Sequence, residues 1–442
     1  MKKIVTAAAI AAMAASFAAA EVTTSLNVRV RPDLYKVVGT TENGTTDAYT
    51  TTTYADIDGF GGNKDTLAVK GSTDYAGVAA EITLLNPGNA KGKTGAFEID
   101  NYYGWLNWGA LKFTAGTYDS RYTNRGNYTA TEQGILDEEF SKTMGLSSKN
   151  GLLASLGKIG KDLFGEANKD VKYSEMPNLN WLGDFGNVSQ LNGGNNNSFI
   201  VDYTFNDIGG GKLLLKGGLV ENGMGVIKDS KGKTSENTYD SYTDKDGNKF
   251  TQSEGYVFEA AWRKDDLVAV DAIFKNPAKD AFGFGLYVTP LMIPNTKNVV
   301  IGFTYGTFED SIKSAFAVDF RGQYNFNSAA TLALGAKYES LELDMDGADT
   351  ETAMQVAAEF SYKVSDLLIA ALDFGYFNQD IDNNDDNDDD NSQFIVTSLR
   401  GKFTAGKNAA ITTALRLNKV LNPGDGKTDY TFDIPVVLRV KM

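Results

Sequence analysis

The chain contains neither cysteine nor histidine among its 442 residues. Without cysteine there is no disulfide framework and no thiolate nucleophile. Without histidine, the Ser-His-Asp base, the histidine-rich zinc sites and a proton switch near neutral pH are all missing. We therefore expect no enzymatic activity and no cofactor.

Long apolar runs are also scarce, and the one at the start of the sequence is short. Two lysines after Met1 precede an apolar stretch from Ile4 to Phe17, and three alanines follow before Glu21. This arrangement is typical of a secretory signal peptide, and it is shorter than the 18 to 20 residues, roughly, that a membrane helix needs. We predict a signal peptide over 1–20, a mature domain over 21–442, and no helical membrane span.

Positive charge is in deficit. The net charge is −15 for the whole sequence and becomes −17 once Lys2 and Lys3 leave with the signal peptide. This balance argues against a nucleic-acid partner and favours a surface or pore that tolerates cations.

Proline is limited to 8 residues, against 46 glycines. Six prolines fall between the strands predicted below, where a missing N–H costs no ladder hydrogen bond. Pro32 and Pro435 fall in the first and last predicted strands. We expect a bulge or thinned hydrogen bonding where those two strands pair.

What the sequence does contain is a period of two, with apolar and polar residues alternating over segments of about 9 to 12 residues. On one such segment we place Phe97, Ile99, Tyr103 and Trp105 on one face and Glu98 and Asp100 on the other. Aromatic residues make up 11% of the chain, an excess that suits interfacial girdles. The predicted strands are 22–36, 65–72, 75–86, 97–108, 111–118, 198–206, 212–220, 253–264, 266–275, 279–289, 297–308, 312–325, 330–343, 352–363, 366–377, 392–404, 408–418 and 429–441.

These segments make about eighteen strands, with sixteen as the alternative count, joined by connectors that tend to alternate between long and short. We predict an all-β fold, a closed antiparallel transmembrane β-barrel. The alternative is a soluble secreted β-protein, a sandwich or a repeat solenoid, whose apolar faces bury into a protein core.

The last segment alternates to the end of the chain, with Tyr430, Phe432, Ile434, Val436, Leu438, Val440 and Met442 on one face. This resembles the terminal strand of the bacterial outer-membrane porins, the general and substrate-specific porins of 16 to 18 strands. The family usually ends in an aromatic residue, most often Phe, whereas this chain ends in Met442. The resemblance covers the architecture of the whole chain and implies an outer-membrane location, export through the signal peptide, lipid contact and a homotrimer as the candidate assembly.

The segment 119–197 is too long for an ordinary connector, and it is the third long loop. Porins fold their third loop into the barrel, where its acids face arginines on the wall. By that resemblance the constriction would be formed in the loop by Asp119, Arg121, Asp137, Glu138 and Glu139, and on the wall by Arg29, Arg31, Arg321, Arg400, Arg416 and Arg439. Within the loop, apolar residues between Leu152 and Phe164 recur at helical spacing, which predicts a short amphipathic helix packed on the barrel or plugging its mouth.

If the apolar face meets lipid, the opposite face lines the lumen and its charges set selectivity. The predicted basic positions of that face include Arg29, Arg31, Lys112, Lys212, Lys216, Arg263, Arg321, Lys337, Arg400, Arg416 and Arg439. The acidic positions include Glu81, Glu98, Asp100, Asp202, Glu259, Asp271, Asp319, Glu359, Asp373 and Asp433. An acidic run from Asp380 to Asn391 has no EF-hand pattern, so we read it as a solvated loop, with Asp380, Asp382 and Asp385 as a weak candidate for a metal site.

The sequence as a whole favours a porin that passes small hydrophilic solutes and ions by passive diffusion, with a mild preference for cations. A substrate-specific channel is the second reading, with sugars stacking on rings such as Tyr118, Tyr122 and Trp181. A third is a surface adhesin or major antigen that acts through its exposed loops.

Overall fold

The structure is a computed structural model that describes residues 21–30, 33–40, 44–49, 65–84, 97–117, 197–220, 242–243, 249–250, 255–276, 281–308, 312–343, 350–380, 392–421 and 430–442. Within these ranges every regular element is a β-strand. No helix in this part of the chain is long and apolar enough to cross a membrane. The predicted signal peptide, the connector as far as residue 196 and the acidic run after Asp380 lie outside the described residues.

The strands of the first half are β1 (Glu21–Val30), β2 (Asp33–Thr40), β3 (Gly44–Tyr49), β4 (Asp65–Ser72), β5 (Ala76–Leu84), β6 (Phe97–Trp108), β7 (Leu111–Thr117), β8 (Asn197–Ile208), β9 (Gly211–Val220), β10 (Tyr242–Thr243) and β11 (Lys249–Phe250). Those of the second half are β12 (Gly255–Lys264), β13 (Val268–Asn276), β14 (Ala281–Pro290), β15 (Thr296–Phe308), β16 (Ile312–Asn325), β17 (Ala330–Leu343), β18 (Glu351–Lys363), β19 (Leu368–Asp380), β20 (Ser392–Ala405), β21 (Ala409–Val420) and β22 (Tyr430–Lys441). Each predicted strand has a counterpart, and the predicted strand 22–36 corresponds to β1 and β2.

One large sheet contains all strands except β10 and β11, which pair with each other. From β4 onwards each strand pairs antiparallel with the next, and β9 pairs with β12 across the two short strands. The first strand has partners on both sides, because β1 pairs with β4 along one edge and with β22 along the other. Two-residue or three-residue turns join many hairpins at one end, and glycines with positive φ sit in several of them, such as Gly109 and Gly406.

The last strand also confirms the irregularity expected from proline. β2 continues the pairing with β22, and the register shifts between Asp33 and Lys36, beside the position where Pro435 stands opposite Asp33. A proline has no N–H to donate to the ladder, so a bulge is the ordinary way to accommodate it. The hairpin partner β3 was not predicted.

The two faces of the large sheet differ sharply in chemistry. One face, here called the apolar face, presents large side chains to the surroundings, among them Phe258 (50% exposed) and Leu372 (59% exposed). The other face, here called the charged face, carries Glu259, Asp373 and Arg400, all almost fully buried. Phe258 and Glu259 are neighbours in sequence, and so are Leu372 and Asp373. The alternation along each strand therefore puts them on opposite faces.

A buried apolar cluster also lies on the charged face and was not predicted. Its members are Ile200, Val257, Ile273, Tyr287, Val300 and Ala317, from β8 and from β12 to β16. Ile273 and Tyr287 have no exposed surface. The charged face over these strands is therefore packed with side chains, and is less uniformly polar than the sequence pattern predicted.

The expected faces of β6 are wrong for two aromatic residues. Glu81 of β5 stands opposite Asn101 of β6, and Ile82 stands opposite Ile99, so Asp100 is an extra residue that forms a bulge in β6. This extra residue reverses the face to which every later residue of β6 points. Tyr103 and Trp105 consequently share a face with Lys112, while the apolar face receives Tyr102, Leu106 and Trp108.

Candidate functional site

A row of polar side chains crosses five neighbouring strands on the charged face. Glu359 of β18 stands opposite Asp373 of β19, which stands opposite Ser398 of β20. The row continues through Arg416 of β21 to Asp433 of β22. Directly opposed side chains in an antiparallel sheet are close enough to interact, so the register alone assembles this group.

Arg400 joins two of these acids. Its Nε and Nη2 donate to Oδ2 and Oδ1 of Asp373, both at 3.0 Å, and Nη2 also lies 2.6 Å from Oε2 of Glu359. Ser398 Oγ donates to Asp373 Oδ2 at 2.5 Å. This bidentate contact is stronger than a single hydrogen bond between an arginine and a carboxylate.

Small neighbours make room for this arginine. The residues directly opposite Arg400 are Ala371 on one side and Ala414 on the other, both buried. Neither alanine fills the space over its strand, so the guanidinium reaches diagonally to Asp373. The Arg400 side chain is 2% exposed, and its charge is compensated inside the protein.

Arg416 makes a second two-point ion pair, with Asp433 directly opposite. Its Nε donates to Oδ1 at 2.7 Å, and its Nη2 contacts Oδ2. Taken with Glu359, Asp373 and Arg400, the group holds three acids and two arginines. These five ionised groups together carry one net negative charge.

A second row, of alternating sign, lies on the same charged face but on the strands β7, β8, β9 and β12. Lys112 of β7, Asp202 of β8, Lys216 of β9 and Glu259 of β12 follow one another directly across the ladder. Lys216 Nζ lies 3.4 Å from Oε2 of Glu259, whose side chain has no exposed surface. Each charge has an opposite charge as its cross-strand neighbour, which stabilises the register.

The wall formed by β1, β4, β5 and β6 contains a depression of about 330 Å³. Thr23, Lys70, Ala79 and Tyr103 stand opposite one another across the four strands, and Ser25, Ala68 and Glu81 form the adjacent row. All of these residues line the depression. Small side chains on three strands leave the space, and Lys70, Glu81 and Tyr103 border it.

Trp105 forms one rim of this region. Its indole lies on Gly77, where a Cβ atom would come within 2.1 Å of the ring. The ring thus reaches over β5, and the Lys70 ammonium of β4 lies 5.3 Å from its centroid, a cation–π contact. The Tyr103 ring lies 5.7 Å from that of Trp105.

The predicted wall arginines do not form one group. Arg400 and Arg416 are drawn into the ion pairs described above, with acids of adjacent strands. Arg29 of β1 and Arg439 of β22 stand opposite each other in the register, while Arg321 belongs to β16, four strands from β20. The other predicted constriction residues lie outside the described residues: Arg31, Asp119, Arg121, Asp137, Glu138 and Glu139.

Of the three acids proposed as a metal site, only Asp380 lies within the described residues. Asp380 is the last residue of β19. Asp382 and Asp385 lie outside the described ranges. Within those ranges there is no group of three or more acids that could hold a metal ion.

The sequence pattern does not predict the depression, because alternation along β6 places Tyr103 and Trp105 on the apolar face. It also gives no signal that distinguishes Lys70 from other exposed lysines. The adjacent Tyr102 and Tyr103 hide the reversal, since either can continue an apolar stripe.

No family model matches the chain, and no curated protein matches it. Among solved structures the chain is similar to an anion-selective porin from Comamonas acidovorans, at 11% identity and a TM-score of 0.48, over 96% of this chain and 100% of that one. It is also similar to OccAB4 of Acinetobacter baumannii, at 8% identity and a TM-score of 0.47, over 96% and 98%. For OpdQ of Pseudomonas aeruginosa the identity is 10% and the TM-score 0.45, over 95% and 98%.

Proposed function

We propose that the chain is an outer-membrane pore that passes small hydrophilic solutes and ions by passive diffusion, without catalysis. In this proposal residues 1–20 direct export and are removed. The rest forms a closed transmembrane β-barrel in the outer membrane of a bacterium, in contact with its lipid.

The observation that carries the proposal is the inverted distribution of side chains. Leu399 is 53% exposed, whereas its neighbour Arg400 is 3% exposed. In a water-soluble protein, large apolar side chains are buried and charged ones face solvent. An apolar surface that recurs on strand after strand is costly in water and favourable in hydrocarbon.

The strand pairing supports closure. The 20-stranded sheet includes β2 and β3 as an added hairpin, which leaves eighteen strands in the sequence of partners from β1 through β4 to β22. The pairing of β22 with β1 brings this sequence back to its start. A barrel satisfies every backbone N–H and C=O without an open edge, which is the requirement for crossing a lipid bilayer with strands.

The charged face supports a polar lining. It carries ionised groups of both signs in register, and the ion-paired group of Glu359, Asp373, Asp433 and their two arginines has one acid more than it has bases. This excess and the net charge of the chain support a mild preference for cations.

We further propose that the loop predicted over 119–197, which the structure ends at Asn197 where β8 begins, folds inward and narrows the pore. The ends of this segment leave adjacent strands, β7 and β8. Near them Thr114, Ser198 and Ile200 on the charged face are almost fully buried. This burial is what an inward connection would produce. Asp119, Arg121, Asp137, Glu138 and Glu139 are its candidate constriction residues, with Arg29, Arg31, Arg321 and Arg439 on the wall. Arg400 and Arg416 would contribute to the charge of the constriction as members of their ion pairs with Glu359, Asp373 and Asp433.

The test is a measurement of conductance and ion selectivity. The purified full-length protein, folded in detergent and added to a planar lipid bilayer, is expected to give stepwise conductance and a reversal potential of the cation-selective sign under a salt gradient. A properly folded protein that gives no conductance would refute the pore. Conductance with the anion-selective sign would overturn only the cation preference.

A further inference from the structure

The buried apolar cluster on the charged face forms a diagonal line across the strands. Ile200 of β8 and Val257 of β12 stand at the same level on either side of β9. From Val257 the line moves two residues towards the turns at each further strand, through Ile273 and Tyr287 to Val300. These five side chains are between 0% and 6% exposed. The cluster is therefore one continuous covered strip.

The cover does not come from the neighbouring positions of the sheet. In the register, Tyr287 has Gly302 on one side and Ile273 has Gly285 on one side. In the described part of the chain these strands form a single layer, joined along the ladder. Side chains that stand on a single layer keep exposed surface, as Phe258 of the apolar face does at 50%. Complete burial of Ile273 and Tyr287 therefore requires a second layer over the charged face.

We propose that the amphipathic helix predicted over 152–164 supplies this second layer by packing its apolar stripe on the cluster. This inference rests on the proposed function, in which the long loop folds inward. It adds the surface on which the loop rests.

The helix carries a stripe that needs an apolar partner. Steps of four, three and four residues bring to one helical face Leu152, Leu156, Ile159 and Leu163. Lys158 and Lys161 lie on the opposite helical face and can stay hydrated. A helix this short is marginal in isolation, so its stability must come from packing of the apolar stripe.

The dimensions and the connection of the loop fit the cluster. Diagonal neighbours in a sheet are about 7–8 Å apart, so the three steps from Val257 to Val300 span about 21–24 Å. A helix over 152–164 would be about 20 Å long. The loop ends directly before β8, which contributes Ile200 to the cluster. One end of the loop is thus fixed beside the surface that the helix would cover.

Burial distinguishes the two apolar surfaces that the sheet offers to the helix. Phe274 on the apolar face is 39% exposed, whereas its neighbour Ile273 on the charged face has no exposed surface. Of these two surfaces the cluster is the covered one. The helix is therefore assigned to the cluster.

The first experiment is disulfide trapping, because in a chain without cysteine two introduced cysteines are the only thiols. The full-length protein, folded in detergent, is oxidised with copper phenanthroline. Leu156→Cys combined with Ile273→Cys joins the middle of the stripe to the middle of the cluster and should form an intramolecular disulfide, detected by a gel shift and by mass spectrometry. Leu156→Cys with Phe274→Cys moves one thiol to the apolar face and should stay reduced. Lys158→Cys with Ile273→Cys moves the other thiol to the polar side of the helix and should also stay reduced.

The second experiment does not depend on the alignment of two thiols. In the single variant Ile273→Cys, reaction with a water-soluble maleimide should be slow. Adding Leu156→Asp and Leu163→Asp should raise the labelling rate at least tenfold, since the loss of a buried leucine weakens docking by at least that factor. The matched control, Lys158→Asp added to Ile273→Cys, should leave the rate unchanged.

The possible failures are distinct. A disulfide with Phe274→Cys and none with Ile273→Cys would place the helix on the apolar face and overturn the inference. A labelling rate at Ile273→Cys that the leucine substitutions leave unchanged also overturns it. Either result can accompany normal conductance in a planar bilayer, and the pore then stands. A protein that forms the Ile273→Cys disulfide but does not conduct supports the docked helix and fails the proposed function.

Discussion

Arg400 and Asp373 form a two-point ion pair on adjacent strands, with Nε to Oδ2 and Nη2 to Oδ1 both at 3.0 Å. The pair is diagonal, since the residue directly opposite Asp373 is Ser398. Glu359 Oε2 contacts the same Nη2 atom at 2.6 Å. One buried cation thus connects β18, β19 and β20.

Replacing Arg400 by methionine should destabilise the protein strongly. Two carboxylates would remain side by side without their cation, and breaking a buried pair costs about 3–5 kcal/mol. The measurement is the free energy of unfolding in urea with the protein in lipid vesicles. The control is Lys313→Met, whose pair with Glu342 is exposed to solvent and should therefore contribute far less to stability. Equal losses in the two variants would contradict the role of burial.

Gly77 should not tolerate a side chain, because the indole of Trp105 lies on it. A Cβ atom there would meet Trp105 Cζ2 at 2.1 Å, so Gly77→Ala must displace the ring. We expect a loss of about 1–3 kcal/mol, the usual cost of overpacking, and a shift in tryptophan fluorescence. Gly71→Ala is the control, since a Cβ atom there meets nothing within 4 Å. An unchanged fluorescence spectrum in Gly77→Ala would show that the ring lies elsewhere.

A charge on the apolar face should destabilise the protein according to its depth. Leu372 lies in the body of β19, so Leu372→Lys should cost about 2–4 kcal/mol if that face meets the centre of a bilayer. Leu367 lies on the adjoining turn, where the cost of the same substitution should fall to about 0–1 kcal/mol. Both leucines are about equally exposed, at 59% and 63%, so exposure alone predicts equal effects. Unfolding in lipid vesicles distinguishes the two expectations.

Two turn carboxylates should titrate below their ordinary range. A hydrogen bond from Lys363 holds the pKa of the Asp366 carboxyl below its usual value, and one from Arg263 does the same for Asp265. A lowered pKa in the folded state means stabilisation that is present above the unfolded value of about 3.9 and lost as the pH falls through the folded value. NMR titration of labelled aspartate should show both low values. Lys363→Gln should return Asp366 alone to the ordinary value, and a failure to do so would assign the shift to another cause.

The strands could be predicted from sequence because apolar and polar residues alternate within each of them. The bounds 97–108, 312–325 and 330–343 agree with β6, β16 and β17 to the residue. The faces of Glu259, Asp373, Arg400 and Asp433 also follow from alternation alone. The irregularity near Pro435 could be predicted because proline removes a ladder donor wherever it occurs.

The rest required the register between strands. The bulge opposite Glu81 and Ile82 changes the facing of Tyr103 and Trp105, and no residue of β6 marks the place where the extra residue sits. The partner of Arg400 is equally invisible in the sequence, since it depends on two alanines and an acid located on other strands.

The sequence by itself determined the strands and the separation of apolar from charged positions, because a period of two is a local property of the backbone. Only the tertiary structure decided which charges neutralise one another and which small residues meet to leave a depression. Those outcomes depend on distances between residues far apart in the chain, and the pairing of strands sets those distances.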